Sequence, residues 1–347
     1  MCHCENVSAD DSEIQCFDYE LPEELIAQEP PAERDGGRML VIDRQAGRWE
    51  DCHFRDFPAY VGPGDCVVLN NSRVIPSRLF GHRPGREARI QVFLLEPLNQ
   101  DASEWAALVR PGRKALTGDT IEFGEGIAAQ ILEHGERGER RIRFTGTSDV
   151  YAALERIGHV PLPPYIHRPD TVEDRDRYQT VFGRNRGSVA APTAGLHFTE
   201  RTLDAVRERG ARVAEVTLHV GLGTFQPISA ERLDEHKMHT ERYSIAPEPW
   251  AEVERAKRIV AVGTTSVRTV ESAALTGHLN GDTSLFLRDR GQFQKTGALL
   301  TNFHLPRTSL LVLVCAFAGR ELILEAYRHA VREKYRFFSY GDSMLVI

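Results

Sequence analysis

IVAVGTTSVRTVESAAL, residues 259–275, sets four small or β-branched apolar residues against a glycine, two threonines and a serine, then continues with apolar residues at helical spacing. Residues 259–262 read as a buried strand, 263–266 as a tight turn and 267–275 as a helix. A strand that feeds straight into a helix is the unit from which α/β domains are built. The same logic recurs nearby. Thr199 can cap a helix that runs through Leu203 and Val206 to Gly210, a natural stop. Residues 213–220 then alternate as a strand, with Val216, Leu218 and Val220 on one face and Glu215, Thr217 and His219 on the other. Residues 322–335 carry another helical pattern, and 337–347 close the chain as strand and turn.

Between residues 62 and 147 the pattern changes. Short apolar-alternating runs at 66–69, 90–95, 105–109, 120–123 and 141–144 are separated by Gly, Pro and Asp turns. Strands at that spacing predict a small β-barrel or sandwich. Residues 18–40 have a mixed pattern of their own before it begins. The expectation is a mixed α/β main domain, residues 13–61 plus 151–347, with a small Greek-key-like β-barrel inserted at 62–150. Residues 1–12 are polar and aperiodic and read as a disordered extension.

The 347-residue length suits about two domains, and 41% hydrophobic with 27% charged residues describes an ordinary folded protein rather than a disordered one. The longest apolar run, residues 310–318, falls far short of the roughly 20 residues a membrane helix needs. With no basic-then-apolar leader, the chain is expected in the cytoplasm. Six cysteines without CxxC spacing point to reduced thiols. Cys2, His3 and Cys4 read as incidental. A net charge of −7 argues against wholesale binding to nucleic acid but leaves room for a local basic patch. Three basic runs stand out: Arg83, Arg86 and Arg89; Arg110, Arg113 and Lys114; and Arg137, Arg140, Arg141 and Arg143. A phosphate track and a solvated face explain them equally well.

Several polar loops abut rigid apolar segments. Thr193, Gly195 and His197 lie between an apolar run and a helix start, where backbone N–H groups hold anions and a histidine handles protons near neutral pH. Thr264 and Thr265 open the helix after Gly263, with Arg268 in its first turn, a pattern suited to a carboxylate, phosphate or ribose hydroxyl. His219, Gly221, Gly223 and Thr224 form a hinge that lets a ligand approach the backbone. It lacks the following helix of a dinucleotide-binding loop. His236, His239 and Glu241 are too few for a zinc site and are read as hydrogen-bonding groups. Asn70, Asn71 and Arg73 follow a strand, Asn302 and His304 precede an apolar helix, and Tyr340 and Asp342 sit near the end. Each has a simpler reading as a turn, a cap or a satisfied core residue.

At these residues the sequence resembles the S-adenosylmethionine:tRNA ribosyltransferase-isomerases of queuosine biosynthesis. The resemblance runs nearly end to end: FDYELPEELIAQEP at 17–30, LNNSRVIPSRL at 69–79, SVAAPTAGLHFT at 188–199 and VTLHVGLGTFQPI at 216–228. It continues through HKMHTERYSI at 236–245, VGTTSVRTVES at 262–272, TNFHLPRTSLL at 301–311 and YRFFSYGDSMLVI at 335–347. It implies an α/β domain with an inserted barrel, no metal and no prosthetic group. It further implies a tRNA with a GUN-type anticodon whose wobble base is 7-aminomethyl-7-deazaguanine. S-adenosylmethionine would give its ribosyl carbons, with release of adenine and methionine as epoxyqueuosine forms. A monomer is expected.

In that reaction the sulfonium already makes methionine a good leaving group, so the protein's task is to move protons and help adenine depart. His197, His219 and His304 are the candidates for it. Thr264, Thr265 and Arg268 are expected to hold the methionine carboxylate or the ribose, and Asn70, Asn71 and Arg73 to face substrate. Two other readings compete. A tRNA methyltransferase using the same donor would release S-adenosylhomocysteine instead of adenine, and a non-catalytic RNA-binding protein built on the barrel would not bind the donor.

Overall fold

The computed structural model describes residues 12–221, 223 and 227–347. Residues 1–11 of the expected extension 1–12, with Cys2, His3 and Cys4, and the candidate Thr224 lie outside the described residues. Ser12 is already part of the fold, its carbonyl accepting a hydrogen bond from the N–H of Leu233 at 2.7 Å.

A nine-stranded mixed sheet forms the main unit. From one edge its strands are Asn280–Thr283, Glu241–Ser244, Arg212–Leu218, Asp65–Asn70, Arg258–Val262, Thr296–Asn302, Ser343–Val346, Arg38–Asp43 and Arg48–His53. The four central strands, Arg212–Leu218 to Thr296–Asn302 in that order, are parallel to one another. They are apolar without strict alternation because both faces are covered. Ala261 and Leu299 face a core completed by Val312, Ile323 and Tyr327 of the helices Ser309–Ala318 and Arg320–Arg332. Val260, Val262, Ala298 and Leu300 face the opposite core, with Phe54, Phe57, Leu203 and Val206. Leu203 and Val206 belong to the helix Glu200–Glu208, which Thr199 caps by accepting the N–H of Thr202.

A second sheet of six antiparallel strands has the order Arg78–Gly81, Ile90–Pro97, Glu104–Arg110, Glu139–Thr145, Ile127–His134, Thr120–Gly124. Its edge strands nearly meet. His82 and Glu122 exchange backbone hydrogen bonds of 3.1 and 2.8 Å, which brings the sheet close to a closed barrel. Gly81 makes the seam tight, because a Cβ there would lie 2.4 Å from the Glu122 carbonyl oxygen. Alternate residues such as Leu79, Val92, Leu94, Ala107 and Val109 fill the interior, and the helix Val150–Ile157 adds Val150, Ala153 and Leu154.

These boundaries differ from the expected 62–150. The strand Asp65–Asn70 belongs to the middle of the nine-stranded sheet, and the six-stranded unit starts at Arg78. A strand buried on both faces looks like any short apolar run, so its neighbours in the sequence misled the assignment. The segment at 263–266, expected as a turn, is Gly263 followed by the first turn of the helix Thr264–Thr276.

Candidate active site

Open α/β sheets bind ligands beyond the carboxyl ends of their parallel strands. Here those ends surround a cleft of about 590 Å³, part of it open to solvent, with walls from residues 191–194, 263–265 and 301–305. Gly263 turns the chain at φ +84°, a conformation that favours glycine, and donates its N–H to the Leu300 carbonyl at 2.7 Å. The helix Thr264–Thr276 then starts at the cleft, and no side chain caps it. Thr264 and Thr265 are buried there. The first N–H groups of such a helix are suited to an anion.

The strand Thr296–Asn302 delivers the other wall. His304 is 7% exposed, and its Nε2 lies 2.9 Å from the Thr301 hydroxyl. Its main chain is held on both sides: the His304 N–H donates to the Tyr327 hydroxyl oxygen at 3.0 Å, and the Tyr19 hydroxyl donates to the His304 carbonyl at 2.5 Å. Burial pushes the His304 imidazole down to about 3, so it is neutral at pH 7. Thr193 and Asn302 also line this cleft.

His197 is placed differently. It is 3% exposed, stacks on Phe54 at 5.1 Å and lies 3.2 Å through Nε2 from the Asn302 amide nitrogen, outside the cleft wall. Burial, then the charge of Arg336, lowers it to about 4. His219 is also outside the wall. Its Nδ1 is buried without a hydrogen-bond partner among the described residues, and burial followed by Arg242 lowers its pKa. Gly195 is required by packing, since a Cβ would come within 2.8 Å of Phe182 and Thr180.

Beside the cleft, and sharing Leu310 with it, is a smaller hollow lined by Gly223, His236, His239, Glu241 and Arg268. Arg268 and Glu241 form a buried ion pair, and Glu241 accepts the Gly221 N–H at 2.9 Å. Arg268 also donates to the carbonyls of Leu285 and Thr283. His236 packs edge-on against Phe286, and burial followed by His239 lowers its pKa. Among the described residues no group of three or more His, Cys, Asp or Glu side chains is arranged to hold a metal ion, and no helix is long and apolar enough to cross a membrane.

The remaining candidates lie outside the cleft wall. Asn70 accepts the N–H groups of Leu218 and Ser72 and donates to the Leu218 carbonyl and the Thr265 hydroxyl, tying two strand ends to the helix start. Asn71 joins Glu215, Thr217 and Asn185. Arg73 is half-buried and pairs in register with Arg186 on a two-stranded parallel ladder. Tyr340 donates to Asp174, which a bidentate Arg168 also holds. Asp342 accepts the N–H groups of Arg38 and Arg336, both at 2.8 Å. The sequence reading missed the hydroxyls of Tyr165, Thr301, Thr308 and Ser339 in the cleft wall. Thr301 was detectable, standing three residues before His304.

A family model described as "Queuosine biosynthesis protein" matches residues 14–346. The chain belongs to that family. As a queuosine biosynthesis family member it is 58% identical to a protein of Solibacter usitatus (strain Ellin6076) over 95% of this chain and 99% of the relative. A protein of Desulforamulus reducens is 46% identical over 96% and 100%. Both relatives are named S-adenosylmethionine:tRNA ribosyltransferase-isomerase. The crystal structure of S-adenosylmethionine tRNA ribosyltransferase from Thermotoga maritima shares 38% identity and a TM-score of 0.54, covering 96% of this family member and 100% of that chain.

Proposed function

We propose that the protein transfers and isomerises the ribosyl moiety of S-adenosylmethionine onto 7-aminomethyl-7-deazaguanine at the tRNA wobble position, releasing adenine and methionine in the cytoplasm. The observation that carries this reading is the end-to-end likeness to relatives named for that activity. S-adenosylmethionine acts as a co-substrate, and the protein's own groups do the chemistry.

Within the cleft, the uncapped start of the helix Thr264–Thr276 takes the donor's carboxylate through Thr264 and Thr265. The Arg268 guanidinium is engaged by Glu241, which favours a supporting role for it. His304 moves the proton, since it alone of the three candidate histidines lines the cleft. Its neutral ring carries both a donor and an acceptor nitrogen, and Thr301 orients it. Thr193 and Asn302 complete the contacts. His197 holds neighbouring chain segments in place through Asn302 and Phe54. The reading also treats the six-stranded unit as a Greek-key-like barrel inserted into the main unit. The adjacency of Glu104–Arg110 to Glu139–Thr145, across the two strands between them in sequence, supports that description.

The test is incubation with S-adenosylmethionine and tRNA carrying the aminomethyl base, followed by mass analysis of the nucleoside and small molecules. Adenine and methionine in equal amounts with epoxyqueuosine are expected. S-adenosylhomocysteine in place of adenine would make the protein a methyltransferase.

A further inference from the structure

The six-stranded unit carries many arginines, and their partners divide them into two groups. Arg141 and Arg143 both grip Glu104, each with contacts of 2.6 Å. Arg83 pairs with Asp119 at 2.7 Å, and Arg140 donates to the carbonyls of Ala115, Glu139 and Gly112. Those charges are neutralised or spoken for inside the unit. Arg78 and Arg110 contact no carboxylate among the described residues. Arg78 donates to the Leu162 carbonyl at 2.8 Å and leaves its buried Nε without a partner, while Arg110 is exposed.

Strand pairing places these two together. On the outer face of three adjacent strands, Arg78, Phe93 and Leu108 form one cross-strand row, and Gln91 and Arg110 form the next. With residues 161–164 and 189–190 they line a groove of about 850 Å³, part of it open to solvent, between the six-stranded unit and the main sheet. Its floor is apolar, with the Arg78 guanidinium 5.9 Å from the Phe93 ring centre and Arg110 in the next row, although the chain as a whole carries a net charge of −7. The groove also leads to the cleft. Residues 189–190 continue into 191–194, and 161–164 into Tyr165, so both wall segments pass from one cavity to the other.

An apolar, aromatic floor beside two guanidinium groups that no carboxylate neutralises, the exposed Arg110 and the half-buried Arg78, suits an unpaired nucleotide, with the base on the floor and the phosphate at the cations. We propose that this groove holds the unpaired nucleotide adjacent to the one whose base occupies the cleft, with its base against Phe93 and Leu108 and its phosphate at Arg78 and Arg110. The inference rests on the RNA substrate of the proposed function and assigns the surface that grips it.

The experiment measures binding of tRNA carrying the aminomethyl base across a salt series for the wild type, Arg110→Gln, Phe93→Leu and Arg141→Gln, alongside donor binding and steady-state kinetics. Arg110→Gln is expected to weaken RNA binding and flatten the log–log salt slope by about 0.7, the contribution of one single-strand phosphate contact. Its KM for RNA should rise more than its kcat falls. Phe93→Leu should weaken binding about fivefold without changing the slope, in keeping with loss of base stacking. Arg141→Gln, on a guanidinium already held by Glu104, should change neither, and donor affinity should stay constant in every variant. An unchanged affinity and slope for Arg110→Gln, or an equal change for Arg141→Gln, overturns the groove. Arg110 is exposed, so its variant remains informative if Phe93→Leu fails to fold. Wild-type protein that releases no adenine with this RNA would instead refute the proposed function, independently of the groove.

Discussion

The guanidinium of Arg268 and the carboxylate of Glu241 are sealed against each other inside the protein, with side-chain exposures of 4% and 3%. Because Glu241 also takes the Gly221 N–H, the pair pins the corner that follows Leu218 beside the cleft. Removing one partner strands the other charge in the interior. Arg268→Ala is expected to lower the unfolding free energy by about 3–5 kcal/mol, whereas Arg268→Met combined with Glu241→Leu should cost much less. Denaturant unfolding measures both. If Arg268→Ala keeps its stability and loses only donor affinity, the guanidinium belongs to the substrate and not to Glu241.

His304 and His197 are both neutral and buried, yet only His304 lines the cleft. His304→Ala is expected to slow single-turnover adenine release by about 10²- to 10⁴-fold, the usual range for a lost acid or base, with donor affinity little changed. His197→Ala should lose stability before rate. Equal rate losses in the two folded variants would remove the distinction between them.

The same two histidines set an acid limit on stability. Their folded values, about 4 for His197 and about 3 for His304, lie below the 6.5 of an unfolded histidine. Between those values and pH 6.5 the unfolded chain binds more protons than the folded one, so stability is full above about pH 6.5 and falls as pH drops towards 4 and 3. For His197 the loss is on the order of 3 kcal/mol. His197→Gln should make the acid side of a stability–pH curve shallower. An identical acid limb in wild type and variant would contradict the buried neutral imidazole.

Asn70 links backbone groups of two strand ends. Asn70→Ala leaves the N–H groups of Ser72 and Leu218 without their side-chain acceptor in a buried site, at about 1–3 kcal/mol each. The urea midpoint should fall accordingly. A loss below about 1 kcal/mol would mean that water or a shifted backbone replaces the amide.

The alternation of strand and helix after residue 151 was legible because Val216, Leu218 and the run at 259–262 carry the right periods. Asp65–Asn70 was harder, since Cys66 and Val68 face one core while Val67 and Leu69 face another, leaving no polar face to mark the sheet. Polar loop residues were legible as important but not by role. The internal partners of Asn70, Tyr340 and Asp342, namely Leu218, Asp174 and Arg38, lie too far along the chain for spacing to reveal them. Thr264, Thr265 and His304 line the cleft, and the strand ends that precede them are a local feature that the sequence does encode.

The uncapped start of the helix Thr264–Thr276 makes the protein's heat resistance a reporter of what occupies the cleft. Its first amides have no side-chain acceptor, so a bound carboxylate adds bonds that exist only in the folded state. Any such ligand at a hundredfold excess over its Kd raises the unfolding free energy by about 2.7 kcal/mol. A melting curve taken with methionine, with adenine and with each in turn removed therefore separates the two halves of the donor without a turnover assay.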